Sequence, residues 1–383
     1  MKFKCEQKEL IKALNIVSRG VSARTTLPIL KGIKITADSE RGKVVLTASD
    51  LEIYIETGIR AVCDEPGEIV VSAKLFSDII RKLNRGSVFF SINEEGTVKI
   101  ENGTFSSTLQ GIPTEDFPKI EMIQGDGSVS LEKETLKDLI KGTAFAASIE
   151  EARGIITGVL MDIKDGIITM AALDGFRMAI KKEPAEGVRE EQRMIISGRI
   201  MNELGRILSD YEKGTDDEEG ESSEEIKIAV GEKRVFISMD ETNISVRLME
   251  GEFIKYEDII PKENAIRVEV DKKELLDCVD RASILVKEGK NSFIKFKIEG
   301  NELVITSRAD EGTTRESVVI SKEGEDIEIG FNGRFIGEPL KGIDDEKILM
   351  LFNKSVSPCL IRPLKGDSYE YLVLPVRLQT TGE

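Results

Sequence analysis

Three stretches of the chain repeat one order of hydrophobic and polar positions. MKFKCEQKELIKALNIVSRG opens the sequence, SVSLEKETLKDLIKGTAFAA begins at Ser128, and IRVEVDKKELLDCVDRASIL begins at Ile266. Each starts with a run in which apolar and polar residues alternate, the period of a half-buried strand. A charged turn follows. Apolar residues then recur at helical spacing: Leu10, Leu14 and Val17; Leu136, Leu139 and Ile140; Leu275, Leu276 and Val279. Such spacing predicts a helix with one buried face.

A second element also occurs three times. VSAKLFSDIIRKL (Val71 to Leu83), ISGRIMNELGRIL (Ile196 to Leu208) and FNGRFIGEPLKGI (Phe331 to Ile343) each place a small residue, a base and an apolar residue at a helix start. The matching bases are Lys74, Arg199 and Arg334. Six helical segments are predicted, over 7–24, 74–85, 132–153, 197–208, 272–290 and 332–341. Alternating runs such as GKVVLTA, GIITMAA and NELVITS, bounded by turn residues, predict strands between them. The fold class expected is α+β, in three repeated domains of two helices packed on antiparallel sheets. Boundaries near Gly125 and Asn264 give 1–125, 126–264 and 265–383, each of ordinary domain size.

Composition narrows the function more by what it lacks. The chain has 383 residues and no histidine. That removes the commonest general base, the commonest metal ligand and every Ser–His or Cys–His nucleophile. No GxxxxGK[ST] or GxGxxG phosphate loop occurs. Cys5, Cys63, Cys278 and Cys359 lie far apart with no CxxC pair, so they are expected as buried free thiols, with no metal and no cofactor. No apolar run is long enough for a membrane span, and the charged start does not fit a signal peptide, so a cytoplasmic protein is expected.

The formal charge of −16 argues against a polyanion partner until it is divided. The six helical segments hold 21 bases and 13 acids, a net of +8, which leaves −24 on the rest of the chain. Helix propensity alone favours lysine and arginine there. The repeated helix-start bases tilt the balance towards phosphate contact without base readout. Six helices about 10 Å apart around a hole leave an opening of about 9 Å, too narrow for a duplex about 20 Å across. Twelve leave about 28 Å, so encircling DNA requires two chains. The acidic run from Ser209 to Glu225 is expected to be a solvated loop and not a calcium site.

The segment LDGFRMAI, Leu173 to Ile180, looks like a piece of an active site. Asp50 and Asp310 occupy the matching turns of the other repeats, however, and an Asp side chain commonly bonds its own turn. Asp174 is therefore expected to shape a turn. Only the second repeat continues with Gly175, Phe176, Arg177 and Met178.

With these residues in view, the whole chain resembles the bacterial DNA polymerase III beta subunit family, the processivity sliding clamps. The motifs are MKF, RTTLPIL from Arg24, DFP from Asp116, LDGFRMA from Leu173, YEDIIP from Tyr256, FNGRF from Phe331 and YLVLPVRL from Tyr371. The resemblance implies a closed ring of two head-to-tail subunits, helices inside and sheets outside, with each chain forming half. It implies no catalysis. The partners it implies are duplex DNA bound without sequence preference, a clamp loader, the replicative polymerase, and other polymerases and repair proteins that carry a short segment with a glutamine and hydrophobic residues.

By motif match, the partner pocket takes Ile156, Leu173, Gly175, Phe176, Arg177 and Met178 from the second repeat, with Ile254 and Ile259. The third repeat adds Asn332, Phe335, Val356 and Pro358, and the C-terminal strand adds Val373, Leu374, Pro375, Val376, Arg377 and Leu378. Pro375 cannot donate a ladder hydrogen bond, so its strand is expected at a sheet edge. Two departures stand out: Phe176 where the family often has histidine, and Asp258 where it often has arginine. Arg24 falls on a family DNA-contact position. Lys74, Arg199 and Arg334 join it from the repeat, with Arg153. The dimer seam is expected to set Leu109 against Ile284 and Leu285 of the other copy. The competing readings are a repeat-built binding scaffold that never touches DNA, and a carboxylate enzyme using Asp174.

Overall fold

A computed structural model describes residues 1–22, 25–120, 129–185, 191–212, 225–286 and 293–377. Arg24, Leu378 and most of the acidic run lie outside the described residues. The first repeat runs β1 (Lys2–Glu6), α1 (Gln7–Val17), β2 (Gly32–Asp38), β3 (Lys43–Ser49), β4 (Ile53–Arg60), β5 (Val62–Glu65), β6 (Gly67–Ser72), α2 (Ala73–Lys82), β7 (Ser87–Ile92), β8 (Thr97–Asn102) and β9 (Phe105–Gln110). The second runs β10 (Val129–Glu132), α3 (Lys133–Thr143), β11 (Gly158–Lys164), β12 (Ile167–Leu173), β13 (Arg177–Pro184), β14 (Gln192–Ser197), α4 (Gly198–Glu212), β15 (Glu225–Val230), β16 (Arg234–Met239) and β17 (Thr242–Arg247). The third runs β18 (Ile266–Asp271), α5 (Lys272–Ala282), β19 (Ile294–Glu299), β20 (Glu302–Ala309), β21 (Gly312–Glu323), β22 (Ile327–Phe331), α6 (Gly333–Lys341), β23 (Lys347–Phe352), β24 (Cys359–Pro363) and β25 (Tyr369–Val373). Apart from β5, one order of elements occurs three times.

Local chemistry explains the helix starts. Ser72, Asp271 and Asn332 precede α2, α5 and α6, and their side-chain oxygens accept from the backbone N–H of Leu75, Glu274 and Arg334. Each satisfies one of the orphan donors of the first turn. Lys74, Arg199 and Arg334 are the second helical residues of α2, α4 and α6, and all three are exposed.

Three helices are shorter than the periodicity predicts. α1 gives way to a 3-10 turn at Ser18–Gly20. In α3 and α5 a hydroxyl turns back at or just beyond the last helical residue: Thr143 Oγ1 donates to the Leu139 carbonyl at 2.6 Å, and Ser283 Oγ to the Val279 carbonyl at 2.6 Å. Hydroxyls that bond back in this way compete with the helical ladder.

By packing, the chain forms two compact units, and their limits do not follow the repeats. One comprises 1–137, 185–190 and 202–248; the other comprises 138–184, 191–201 and 249–383. The first holds a sheet ordered β5-β1-β7-β8-β9 and a second ordered β10-β15-β16-β17-β4-β3-β2-β6. In the latter, β17 of the second repeat pairs with β4 of the first, Thr242 opposite Thr57 and Val246 opposite Ile53. Helix faces and sheets of the first repeat share one core, in which Phe3 stacks on Phe90 at 4.6 Å and Phe76 meets Phe90 edge-on at 5.6 Å. Each such ring or leucine buried from water is worth about 1.5–3 kcal/mol.

The second unit is built on a twelve-stranded sheet, β14-β11-β12-β13-β25-β24-β23-β18-β21-β20-β19-β22. Here β25 of the third repeat pairs with β13 of the second, Arg177 opposite Val373 and Lys181 opposite Tyr369. The edge expected from Pro375 is therefore not found. β25 lies inside the sheet between β13 and β24, and it ends at Val373 before the proline would have to donate.

Candidate functional site

The LDGFRM segment forms the turn between β12 and β13. Asp174 Oδ1 accepts from the backbone N–H groups of Phe176 at 2.9 Å and Arg177 at 3.1 Å, and Oδ2 accepts from Arg177 Nε at 3.0 Å. Both carboxylate oxygens are thus committed to the turn. Gly175 sits at φ +88°, a conformation that disfavours any residue with a Cβ. The turn throws Phe176 outwards, where it is 52% exposed, and Arg177 inwards, where it is 6% exposed.

Each nitrogen of the buried guanidinium has an acceptor. Arg177 donates to Asp174, to the Glu338 carboxylate on α6, and to the Phe145 carbonyl at 2.6 Å. Its Cζ lies 4.6 Å from the centre of the Phe335 ring and 5.3 Å from that of Phe145. Beyond Phe335 the Phe176 ring is stacked at 6.3 Å and 25°, and Arg153 covers Phe176 at 5.8 Å. On the inner side Phe145 meets Tyr371 at 6.1 Å. Burial, followed by Asp344 and Asp138, pushes the Tyr371 phenol well above its ordinary value.

Phe176, Ile254, Ile259, Val356, Leu374 and Val376 are large hydrophobics left exposed in this unit. The C-terminal segment is fastened beside the turn: the Leu374 N–H donates to the Phe176 carbonyl at 2.9 Å and the Val376 N–H to the Gly330 carbonyl at 2.8 Å. Asn332 caps α6, while Ile156, Phe335, Pro375 and Pro358 are half-buried and Arg377 is exposed. Leu173, Met178 and Val373 are 5%, 3% and 0% exposed, so they support the surface from beneath. Arg153, predicted among the DNA-facing bases, is tied to this turn by its bond to the Asp174 carbonyl at 2.8 Å and its pair with Glu150.

Sequence reasoning missed Phe145 and Glu338. Two signals mark them. Glu338 matches Asp78 and Glu203 in the repeat, an acid at one helix position three times. Phe145 matches Arg19 and Ile284, nine residues after the aligned leucines.

No group of three or more metal-binding side chains is present among the described residues, and no described helix is long and apolar enough to cross a membrane. The cysteines are free thiols; burial pushes that of Cys5 up to about 12 and that of Cys359 up as well. A separate depression of about 550 Å³ lies at the β11–β12 hairpin, lined by charges of both signs such as Lys182 and Asp367, which pair with each other.

Repeats of two helices and antiparallel strands, joined edge to edge through shared sheets, define the sliding-clamp class of fold. Family models of the DNA polymerase III beta subunit match in order: the N-terminal domain at 1–121, the central domain at 130–255 and the C-terminal domain at 257–377. The chain belongs to the DNA polymerase III beta subunit family. It is 34% identical to the beta sliding clamp of Halalkalibacterium halodurans, over 98% of this chain and all of that one. The crystal structure of the DNA polymerase sliding clamp from Bacillus subtilis superimposes with a TM-score of 0.90 at 29% identity, over 99% of both chains. A putative DNA polymerase III beta subunit from Eubacterium rectale gives 0.88 at 31% identity, over 99% of this chain and all of that one.

Proposed function

We propose that two copies of this chain close a ring around duplex DNA, hold it without reading its sequence, and tether the replicative polymerase for processivity. The observation that carries the ring is a pair of unused strand edges. Within the chain, β17 completes the edge of β4 and β25 completes the edge of β13. The third pair of the series is β9 and the first part of β21. Among the described residues, β9 pairs only with β8, and residues Gly312–Val319 of β21 pair only with β20. An open edge is a template for another chain. Joining β9 of one copy to β21 of the next repeats the internal junction and closes two copies head to tail.

Helix positions agree with that joint. Leu75 of α2 matches Ile200 and Phe335; Ile200 is 1% exposed and Phe335 is stacked, whereas Leu75 is 54% exposed. Ile284 matches Arg19 and Phe145. Arg19 pairs with Asp210 at 3.2 Å and Glu203 at 3.6 Å, and Phe145 holds Arg177, whereas Ile284 is 64% exposed. The seam then sets Leu75 and the β9 edge, which includes Leu109, against Ile284 with its neighbour Leu285 and the β21 edge. The helix-start bases Lys74, Arg199 and Arg334 face the duplex, and boundaries near Gly125 and Asn264 divide the chain into three domains. The exposed apolar surface at Phe176, Leu374 and Val376 takes the hydrophobic segment of polymerases, of repair proteins and of a clamp loader.

The test is topological. The protein, loaded onto nicked circular DNA by a clamp loader, is expected to stay bound through gel filtration at high salt and to leave once the circle is linearised. Retention that falls with salt and ignores linearisation would instead mark ordinary electrostatic attachment.

A further inference from the structure

We infer that Glu338 and Phe145 are positioning residues for the partner-binding surface: they pin the Arg177 guanidinium against Phe335, and Phe335 in turn sets the plane of Phe176. The inference rests on the reading of that surface as a peptide-binding site. Phe176 is more than half exposed, so nothing in the core fixes its ring. What lies against it is the Phe335 ring, stacked at 6.3 Å, and the Arg153 guanidinium at 5.8 Å. Phe335 is half-buried, and its ring centre lies 4.6 Å from the Arg177 Cζ. The order of the exposed ring is therefore inherited from the arginine.

Arg177 itself is held from three directions. Asp174 reaches its Nε, the Phe145 carbonyl reaches one terminal nitrogen, and Glu338 reaches the other. Asp174 belongs to the same turn and moves with it. Glu338 and Phe145 come from α6 and from the 3-10 turn after α3, so they tie the arginine to elements outside the turn. A guanidinium held by two carboxylates and a carbonyl, with two rings against it, has lost its rotamer freedom before any ligand arrives. Preorganisation of that kind improves affinity with no contact to the ligand. Glu338 has a second tie: its other oxygen accepts from Arg334 Nε at 2.9 Å. The carboxylate is thus itself held at the helix start.

The test uses the full-length protein and a fluorescein-labelled synthetic peptide carrying a glutamine and hydrophobic residues. Wild type is expected to bind the peptide and Phe176→Asp to lose it; a wild type that ignores the peptide sinks the reading of the surface itself. Given that baseline, Glu338→Ala is expected to weaken binding by about 10-fold, the size of a partly desolvated cation–π contact. Glu338→Gln, which keeps an acceptor of the same shape, is expected to recover most of that loss, and Phe145→Leu to resemble Glu338→Ala. The second readout is the ¹⁹F resonance of 4-fluorophenylalanine at position 335, expected to shift or broaden in Glu338→Ala and to return in Glu338→Gln. Affinity within twofold of wild type in Glu338→Ala overturns the inference, and so does a loss of affinity with the resonance unmoved. Should Phe145→Leu fail to fold, the Glu338 pair decides alone.

Discussion

The two internal junctions share a plan and differ in how they are sealed. Each carries an Asp turn: Asp50 Oδ1 accepts from the N–H groups of Glu52 and Ile53, as Asp174 Oδ1 does from Phe176 and Arg177. Each joins a neighbouring strand next to that turn. At the β4–β17 junction the arginine comes from the incoming repeat. Arg234 donates from Nε to Ser245 Oγ at 2.7 Å and reaches the carbonyls of Ser245, Glu52 and Leu51. Thr57 and Thr242 share a hydroxyl bond at 2.7 Å. Burial, with Arg247 alongside, draws the Arg234 guanidinium below its ordinary value. At the β13–β25 junction the arginine comes from the turn itself and lies between rings, and a bare phenylalanine is pushed out beside a C-terminal segment with exposed leucine and valine. A junction sealed by backbone carbonyls offers a visitor little; one sealed by an aromatic stack leaves an apolar end showing.

If the open β9 and β21 edges form a third junction of the same plan, the largest effect belongs there. Leu75→Asp or Ile284→Asp is expected to raise the dimer dissociation constant by about 30-fold or more, the loss of a central apolar anchor. Light scattering across a dilution series checks it, and dimers of unchanged stability would separate this junction from the other two. Next comes the contrast between turns. Phe176→Asp is expected to weaken peptide binding by about 30-fold or more, and Leu51→Asp at the other turn to leave it unchanged in the same titration. Equal losses would mean that both junctions bind.

A smaller effect separates the two backbones. Leu51 sits at φ +78° in the place that Gly175 takes at +88°. Gly175→Ala is expected to cost about 1 kcal/mol and Leu51→Gly to stabilise by about 0.5–1 kcal/mol, read by denaturant melts. Smallest of all, peptide affinity is expected to change by less than about twofold between about pH 6 and 8, because the chain has no histidine to titrate.

Hydrophobic periodicity made the six helices legible, along with the matching bases at their starts and the Asp turn. The family motifs carried most of the apolar surface. Strand partners were not legible, since alternation tells which face is buried but not which edge finds which. That is why β25 was expected at an edge when it lies inside a sheet. The inward turn of Arg177 was also hidden, because an arginine between an exposed phenylalanine and a buried methionine reads equally well as surface. Its partners, Phe145 and Glu338, are 32 and 161 residues away in sequence. Leu75 does carry a signal in the sequence, since the matching position is apolar in all three copies.

The mismatch between repeats and compact units bears on how the molecule can be taken apart. A fragment cut between the first and second repeats would strip β17 from β4 and open one edge of that strand over Ile53–Thr57, leaving β3 on the other. The copied module and the compact unit are thus two different divisions of the chain. Attempts to dissect the protein domain by domain should expect sticky, self-associating pieces unless the borrowed strand travels with its host.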